Sequence, residues 1–322
     1  MKAVRVDQPG EAEAMRLVEV PEPRPREGEV LVRAEAAGVN FIDVYHRSGA
    51  YPLTFPLIPG QEAAGTVIEV GAGVTEVAVG DRVAFSSGSA TYAEFVSIPA
   101  ARVVPVPDGV TTRQAAAVML QGITAHYLST ATYALQAGDT CLVHAAAGGV
   151  GLLLCQMAKN RGARVFGTVS TDEKARLARE AGADQTIHYT TEDFVAEVRR
   201  LTDGAGVNVV YDGVGRDTFE KSLDSLAVRG TLVLFGQSSG AVPPFDPQVL
   251  NRKGSLYLTR PTIGHYTRTR EELVKRGSEV LGWVAARKLS VRIFRELPLA
   301  EAPEAHRLLV SRRTTGKLLL IP

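Results

Sequence analysis

Hydrophobic and polar positions follow two different rhythms along this chain of 322 residues. Through the first third, apolar residues recur at every second position in short runs. These are 3–6, 15–20, 30–37, 64–70, 82–85 and 92–98. That period places alternate side chains on opposite faces of a strand. Proline and glycine break the runs at 21–25, 52–60, 71–73 and 105–109. Short strands punctuated in this way predict a compact, partly open barrel. Residues 115–120 and 124–131 read as helical.

From Cys141 onward, strands alternate with helices. Strands are predicted at 141–144, 164–169, 186–188, 207–211, 231–235 and 255–259. Helices are predicted at 150–161, 172–181, 193–202 and 217–227. Gly162 and Gly182 stand just past two of the helix ends, where glycine adopts the left-handed cap without a clash. This alternation predicts a doubly wound parallel sheet. After Pro261 come a helix at 270–286, a strand at 290–295, a helix at 300–311 and a strand at 317–321. About sixty residues make a poor core by themselves. They are expected to return to the first unit. The expected organisation is therefore 1–123 with 262–322, and 124–261 between them.

Composition narrows the function classes. Apolar residues make up 45% and charged residues 22% of the chain, the balance of a globular protein. No apolar run is long enough to span a bilayer. The first residues alternate as a strand does and lack the apolar core of a leader, so a cytoplasmic location is expected. A formal net charge of +1 attracts neither nucleic acid nor an anionic membrane. The two cysteines, Cys141 and Cys155, fall in apolar segments, where a buried, reduced thiol packs as a small hydrophobe. Two thiols supply neither a four-cysteine zinc site nor a dense disulfide framework.

The strongest motif is His144-Ala145-Ala146-Ala147-Gly148-Gly149-Val150-Gly151, between the first strand and first helix of the alternating region. It matches the dinucleotide fingerprint Gly-x-Gly-x-x-Gly, with Ala146 in place of the first glycine. Gly148 lets the backbone approach a pyrophosphate, and Gly151 lets the helix pack closely on the sheet. The helix N-terminus directs unpaired N–H groups at the phosphates. Ala147, Gly148, Gly149 and Val150 are thus expected to touch the cofactor. His144 is a candidate to line the same groove.

A second pattern, Gly60-Gln61-Glu62-Ala63-Ala64-Gly65 followed by Gly71 and Val74, resembles the signature of medium-chain alcohol dehydrogenases. Three further segments and a C-terminal run resemble the zinc-free quinone oxidoreductase (zeta-crystallin-like) branch of that superfamily. They are Gly38 to Tyr45, Ala145 to Gly151, Tyr211 to Gly215, and Arg312 to Lys317. The resemblance implies a Rossmann sheet beside a GroES-like β-barrel catalytic domain. It also implies that Asn40 and Gln61 stand where the zinc enzymes carry a cysteine and a histidine. Neutral amides are poor zinc ligands. Glu62 is left as a single carboxylate, so no metal is expected. Without a Lewis acid the cofactor carries the difficult step, which suits a quinone or a conjugated enone.

By the same resemblance, Asn40 and Tyr45 belong at the nicotinamide end of the cleft and Thr124 contacts that region. Asn40 could offer an amide N–H to an acceptor oxygen. Tyr45 and Tyr51 could stack on a flat ring or donate a proton. Asp43 reads as a cap rather than a base. NADPH is expected over NADH, because the second strand ends in Val169-Ser170-Thr171, with no carboxylate to repel a 2′-phosphate. Lys174 lies one turn into the next helix. The resemblance adds Ser170, Tyr189, Phe235, Ser238 and Arg312 as cofactor contacts. An enone or alkenal reductase is the alternative enzyme. An RNA-binding role is disfavoured by the neutral charge and by the lack of a basic patch interleaved with aromatics. The apolar run 255–259 is expected to end the sheet and to pair with a second copy in a homodimer.

Overall fold

The computed structural model describes residues 1–88 and 90–322. They form two units, Met1–Ile123 with Tyr266–Pro322, and Thr124–His265.

The first unit begins with β1 (Lys2–Val6) and β2 (Met15–Glu19), an antiparallel pair. Then come β3 (Glu29–Val39), α1 (Phe41–Ser48), β4 (Glu62–Val70), β5 (Arg82–Phe85), β6 (Phe95–Pro99), β7 (Val104–Pro105) and most of α2 (Thr112–Tyr127). The second unit holds β8 (Thr140–Val143), α3 (Gly149–Asn160), β9 (Arg164–Val169), α4 (Asp172–Glu180), β10 (Gln185–His188) and α5 (Phe194–Leu201). It continues with β11 (Val207–Asp212), α6 (Phe219–Asp224), β12 (Leu226–Leu234), α7 (Gln248–Arg252) and β13 (Tyr257–Thr259). A short helix, α8 (Ile263–Tyr266), leads back to the first unit. There α9 (Arg270–Ala285), β14 (Ile293–Pro298), α10 (Ala302–Val310) and β15 (Lys317–Ile321) complete the chain.

Seven strands of the first unit share one sheet. Its path is β14-β15-β3-β4-β5-β7, with β6 also paired to β3. The long strand β3 is its centre: β4 runs antiparallel on one side, while β15 pairs with its far end. Inward positions of these strands, among them Val32, Val67, Val83, Val96, Leu318 and Leu320, close over a core with Phe85 and Tyr92. The second unit is a six-stranded sheet, ordered β10-β9-β8-β11-β12-β13, and all its pairs are parallel. Such strands are apolar on both faces because helices cover both. Leu142, Phe166, Val210 and Leu232 on one face, and Cys141, Val165, Val209 and Val233 on the other, are all fully buried.

Three local expectations are corrected. Residues 115–120 and 124–131 are not two helices. They belong to the single helix α2 and a wider turn at Leu128–Thr132. The helix expected at 217–227 ends at Asp224, because Leu226 is already paired with Val207 in the sheet. Helix α1, in a stretch assigned no structure from its pattern, starts at Asn40 and stops at Gly49, whose φ of 76° is left-handed. Eight residues are too short for a periodic signal to stand out.

Candidate functional site

In the first unit the site is organised around Gly38 and Asn40 at the end of β3. Gly38 pairs with Glu62 of β4 on one side and with Leu319 of β15 on the other. Because Gly38 has no side chain, Glu62 and Lys317 meet across it. A Cβ at this position would collide with Glu62 Oε2 and lie 2.7 Å from Lys317 Cε. The Lys317 ammonium pairs with Glu62 Oε2 and donates to Asn40 Oδ1 at 2.8 Å. Asn40 Nδ2 donates to Glu62 Oε2 at 2.9 Å and to Gly38 O at 3.2 Å. The Leu120 N–H of α2 donates to Glu62 Oε1 at 2.6 Å. Glu62 and Lys317 are both excluded from water, at 0% and 1% exposure, so each charge depends on the other.

A second chain of polar groups starts at the same asparagine. The Asn40 N–H donates to Asp43 Oδ2 at 2.9 Å, which fixes the first turn of α1. Tyr92 OH donates to that oxygen at 3.0 Å and lies 3.1 Å from His306 Nε2 on α10. Burial pushes the Asp43 carboxyl up to about 7, although Asn40 and Tyr92 act in the opposite direction. Burial also pushes His306 down to about 3. Helix α1 carries an aromatic row. The rings of Phe41 and Tyr45 are 6.3 Å apart, and those of Tyr45 and Tyr51 are 5.3 Å apart. Both tyrosines are half-buried.

The second unit builds an anion-binding turn. Ala145, with φ of 50°, turns the chain out of β8, and Gly148 caps α3 in extended conformation. A Cβ on Gly151 would collide with Ala145 O and lie 2.8 Å from Ala146 Cα. Only glycine therefore allows α3 to start here, with its first-turn N–H groups directed out of the helix. At the end of β9, Lys174 Nζ donates to Ser170 Oγ at 3.1 Å. Partial burial holds the Lys174 ammonium below its usual range. These donors, with no carboxylate at 169–171, fit a phosphorylated dinucleotide.

His144 does not line the groove. It is buried, with Nδ1 3.0 Å from Thr168 Oγ1 and Nε2 3.0 Å from Ser222 Oγ. Ser222 donates on to Asp212 Oδ2 at 2.8 Å. Asp212 also accepts from Thr218 Oγ1 and from the N–H groups of Val214 and Gly215. Four elements are tied at the carboxyl ends of the strands. Burial holds the His144 imidazole below its ordinary range, favouring the neutral ring.

The remaining predicted residues are distributed as follows. Ala147 is buried in the turn and Thr124 is buried in α2, whereas Gly148, Gly149 and Val150 are half-buried. Phe235 follows β12, donating its N–H to Asp212 O at 2.8 Å. The Ser238 N–H donates to Gly213 O at 3.2 Å, and Tyr189 is exposed. Arg312 belongs to the first unit and is exposed after α10, with φ of 59°. Asn40 is the main surprise: both its Nδ2 hydrogens are engaged, so the amide is held rather than offered. Lys317, Tyr92, His306 and Asp212 were missed. For Lys317 a signal existed, a lone lysine opening the apolar strand Lys317–Ile321. The others are ordinary in their sequence settings. Both cysteines are free and buried, and burial pushes the Cys155 thiol up to about 12. Among the described residues, no group of three His, Cys, Asp or Glu side chains is placed to hold a metal.

With this geometry, the matches to known families are consistent. The alcohol dehydrogenase GroES-like domain family matches residues 26–108, and the zinc-binding dehydrogenase family matches residues 149–278. Together with the two sheets, they define a medium-chain dehydrogenase/reductase. A quinone oxidoreductase of Pseudomonas aeruginosa is 50% identical over 305 residues, 94% of this chain and 93% of that protein. The crystal structure of Escherichia coli quinone oxidoreductase complexed with NADPH is 44% identical. It superposes with a TM-score of 0.98 over 100% of both chains. A 2-haloacrylate reductase of Burkholderia is 41% identical, covering 92% of each chain. The chain belongs to the quinone oxidoreductase family of the medium-chain dehydrogenases/reductases.

Proposed function

We infer that this protein reduces quinones with NADPH and without a metal ion. The observation that carries the reading is the closed cluster at Glu62. Where the zinc enzymes of the superfamily hold their metal, Lys317, Glu62 and Asn40 satisfy one another. The donors are committed and an ammonium already neutralises the carboxylate. A site with no Lewis acid suits an acceptor that is itself electron-poor. NADPH, when bound, supplies the hydride. The first turn of α3, from Gly148 to Val150, would receive its pyrophosphate. Ser170 and Lys174 would grip its 2′-phosphate, with Tyr189, Phe235, Ser238 and Arg312 as further contacts. Thr124 would contact the nicotinamide. Tyr45 and Tyr51 offer flat faces and hydroxyls to the quinone ring, and Asn40 sets the start of the helix that presents Tyr45.

The test is steady-state turnover of 1,4-naphthoquinone with NADPH and with NADH. Naphthoquinone reduction is expected with preference for NADPH. Equal use of both cofactors, or no quinone turnover, would overturn the reading. Lys174→Ala removes one charge-assisted hydrogen bond and is expected to weaken NADPH binding roughly ten- to a hundredfold. NADH binding should change little. Elemental analysis of tag-free protein should find no stoichiometric zinc.

A second reading is favoured by the 41% identity to a 2-haloacrylate reductase. The same residues would then serve hydride transfer to an activated C=C bond. A medium-chain 2-alkenal assayed beside naphthoquinone separates the two. We also propose a homodimer. Strand β13 lies at the edge of the parallel sheet, with Tyr257 61% and nearby Val228 74% exposed. Sedimentation showing a monomer at micromolar concentration would remove the dimer.

A further inference from the structure

The Lys317–Glu62 pair holds Asn40, the residue from which α1 begins. Asn40 is clamped twice. Its side chain is fixed by Lys317 and Glu62, with the amide orientation set by chemistry: Oδ1 faces the ammonium and Nδ2 faces the carboxylate. Its backbone N–H is held by Asp43, in the first turn of the helix that carries Tyr45. The clamp joins three distant segments, β3, β4 and β15, over the bare Gly38. The site needs no ion pair to fill space, because an apolar pair of similar volume packs as well or better. What the charges add is a unique orientation of Asn40.

We propose that Lys317 is a positioning residue for quinone reduction: its buried ammonium, with Glu62, locks the Asn40 amide and thereby the start of the helix that presents Tyr45. This rests on the reading that Asn40, Tyr45 and Tyr51 serve the acceptor. The charged and titratable groups facing the pair are few. Asp43 on α1 and Tyr92 both feel the Glu62 charge, and Asp43 also feels Lys317. His306 and Arg47 follow beyond Tyr92.

The charge makes the role testable. In Lys317→Met the Glu62 carboxylate loses its counter-charge, and burial then favours its protonated form. A protonated carboxyl can donate to Asn40 Oδ1 in place of the ammonium, whereas an ionised one cannot. Naphthoquinone turnover would be followed from about pH 5.5 to about pH 8.5. At the alkaline end Lys317→Met is expected to lower kcat roughly ten- to a hundredfold relative to wild type. The deficit should shrink at least about fivefold toward the acid end. The Glu62→Leu/Lys317→Met double variant keeps neither a titrating group nor a donor to Asn40 Oδ1. With every protein compared in an Asp43→Asn background, which silences the neighbouring carboxyl raised to about 7, its ratio to the parent should not change with pH. NADPH affinity, read by fluorescence titration, should stay within about twofold for both.

A Lys317→Met ratio that is flat with pH, or a double variant with the same pH response, would overturn the proposal. If Lys317→Met does not fold, the double variant decides alone. A kcat reduced roughly tenfold at unchanged NADPH affinity supports the role, and wild-type kcat overturns it. A readout independent of turnover comes from the sequence. Asparagine occurs only at Asn40, Asn160, Asn208 and Asn251, so selective 15N-asparagine labelling yields four side-chain NH2 signals. In the same Asp43→Asn background, the Asn40 signal, identified by its loss in Asn40→Ala, should move with pH in Lys317→Met and stay fixed where Lys317 is intact. A wild-type protein that turns over no quinone refutes the functional reading. The Asn40 signal would still report whether Lys317 holds the amide.

Discussion

Each unit of this molecule buries a polar network at the carboxyl end of a central strand, and the two are built on opposite principles. In the first unit, Glu62 and Lys317 are full charges with almost no water contact, and each is the other's counter-ion. In the second, His144 is a neutral relay between Thr168 and Ser222, and the single carboxylate, Asp212, accepts four hydrogen bonds. An ion pair fails at once when one member is lost, because the survivor is an uncompensated buried charge. A network of dipoles around a buried carboxylate that accepts several hydrogen bonds can exchange partners. The difference separates a site where orientation is enforced by charge from one where strand ends are held by many modest bonds.

Five single substitutions, one of them also combined with Glu62→Leu, would break or sharpen that contrast. The largest effect is expected for Lys317→Met alone, a loss of about 3–5 kcal/mol of stability. Combining it with Glu62→Leu should recover most of that loss in urea unfolding. A double variant no better than the single would show that the pair is not self-contained.

Next come the buried titrating neighbours of the first unit. Asp43 is raised from 3.8 to about 7, so its contribution is complete below pH 3.8 and is lost as pH rises through 7. His306 is lowered from 6.5 to about 3, so its contribution is complete above pH 6.5 and is lost as pH falls through 3. Between 3.8 and 6.5 the two slopes oppose each other. His306→Asn should therefore make stability fall with rising pH, relative to wild type, by about 1.4 kcal/mol per pH unit across that window. Asp43→Asn should make it rise by a similar amount. Urea midpoints that run parallel to wild type in both variants would show that neither group is perturbed as described.

Gly38→Ala is expected to cost about 1–3 kcal/mol, since the new methyl group meets Glu62, Lys317 and the Ala116 carbonyl. An unchanged melting temperature would show that the pair can move aside. The smallest effect is expected for Asp212→Asn, about 1 kcal/mol, because an amide oxygen can still accept from Val214 and Gly215. A loss as large as that of Lys317→Met would erase the contrast between the two networks.

Much of the nucleotide-binding unit was legible in the sequence. Strand β9 and the turn at Gly148 stand where the pattern puts them, and α4 begins at Asp172 as expected. The reason is local: period, glycine spacing and helix caps act within a dozen residues. Helix α1 was missed because it is held at its start by Asp43 and at its end by Gly49, with too few turns between for periodicity. The helix expected to run to Ala227 gives up its last residues to β12, which starts at Leu226 because pairing with Val207 decides the matter. Local preference there gives way to the tertiary setting.

The site divides in the same way. By itself the sequence determined that a dinucleotide turn follows β8 and that no carboxylate ends β9, and residue identity within one short segment suffices for each. Resemblance to the zinc enzymes implies that Asn40 and Gln61 stand at their ligand positions. Only the tertiary structure decided what those residues do. Lys317 lies 277 residues from Asn40, yet they are bonded at 2.8 Å. His306 lies 214 residues from Tyr92 and meets it at 3.1 Å. No local period encodes such pairs, because they are made where strands and helices from opposite ends of the chain close one core. Burial there, rather than residue type, sets whether a lysine is a surface charge or the fixed counter-ion of a carboxylate.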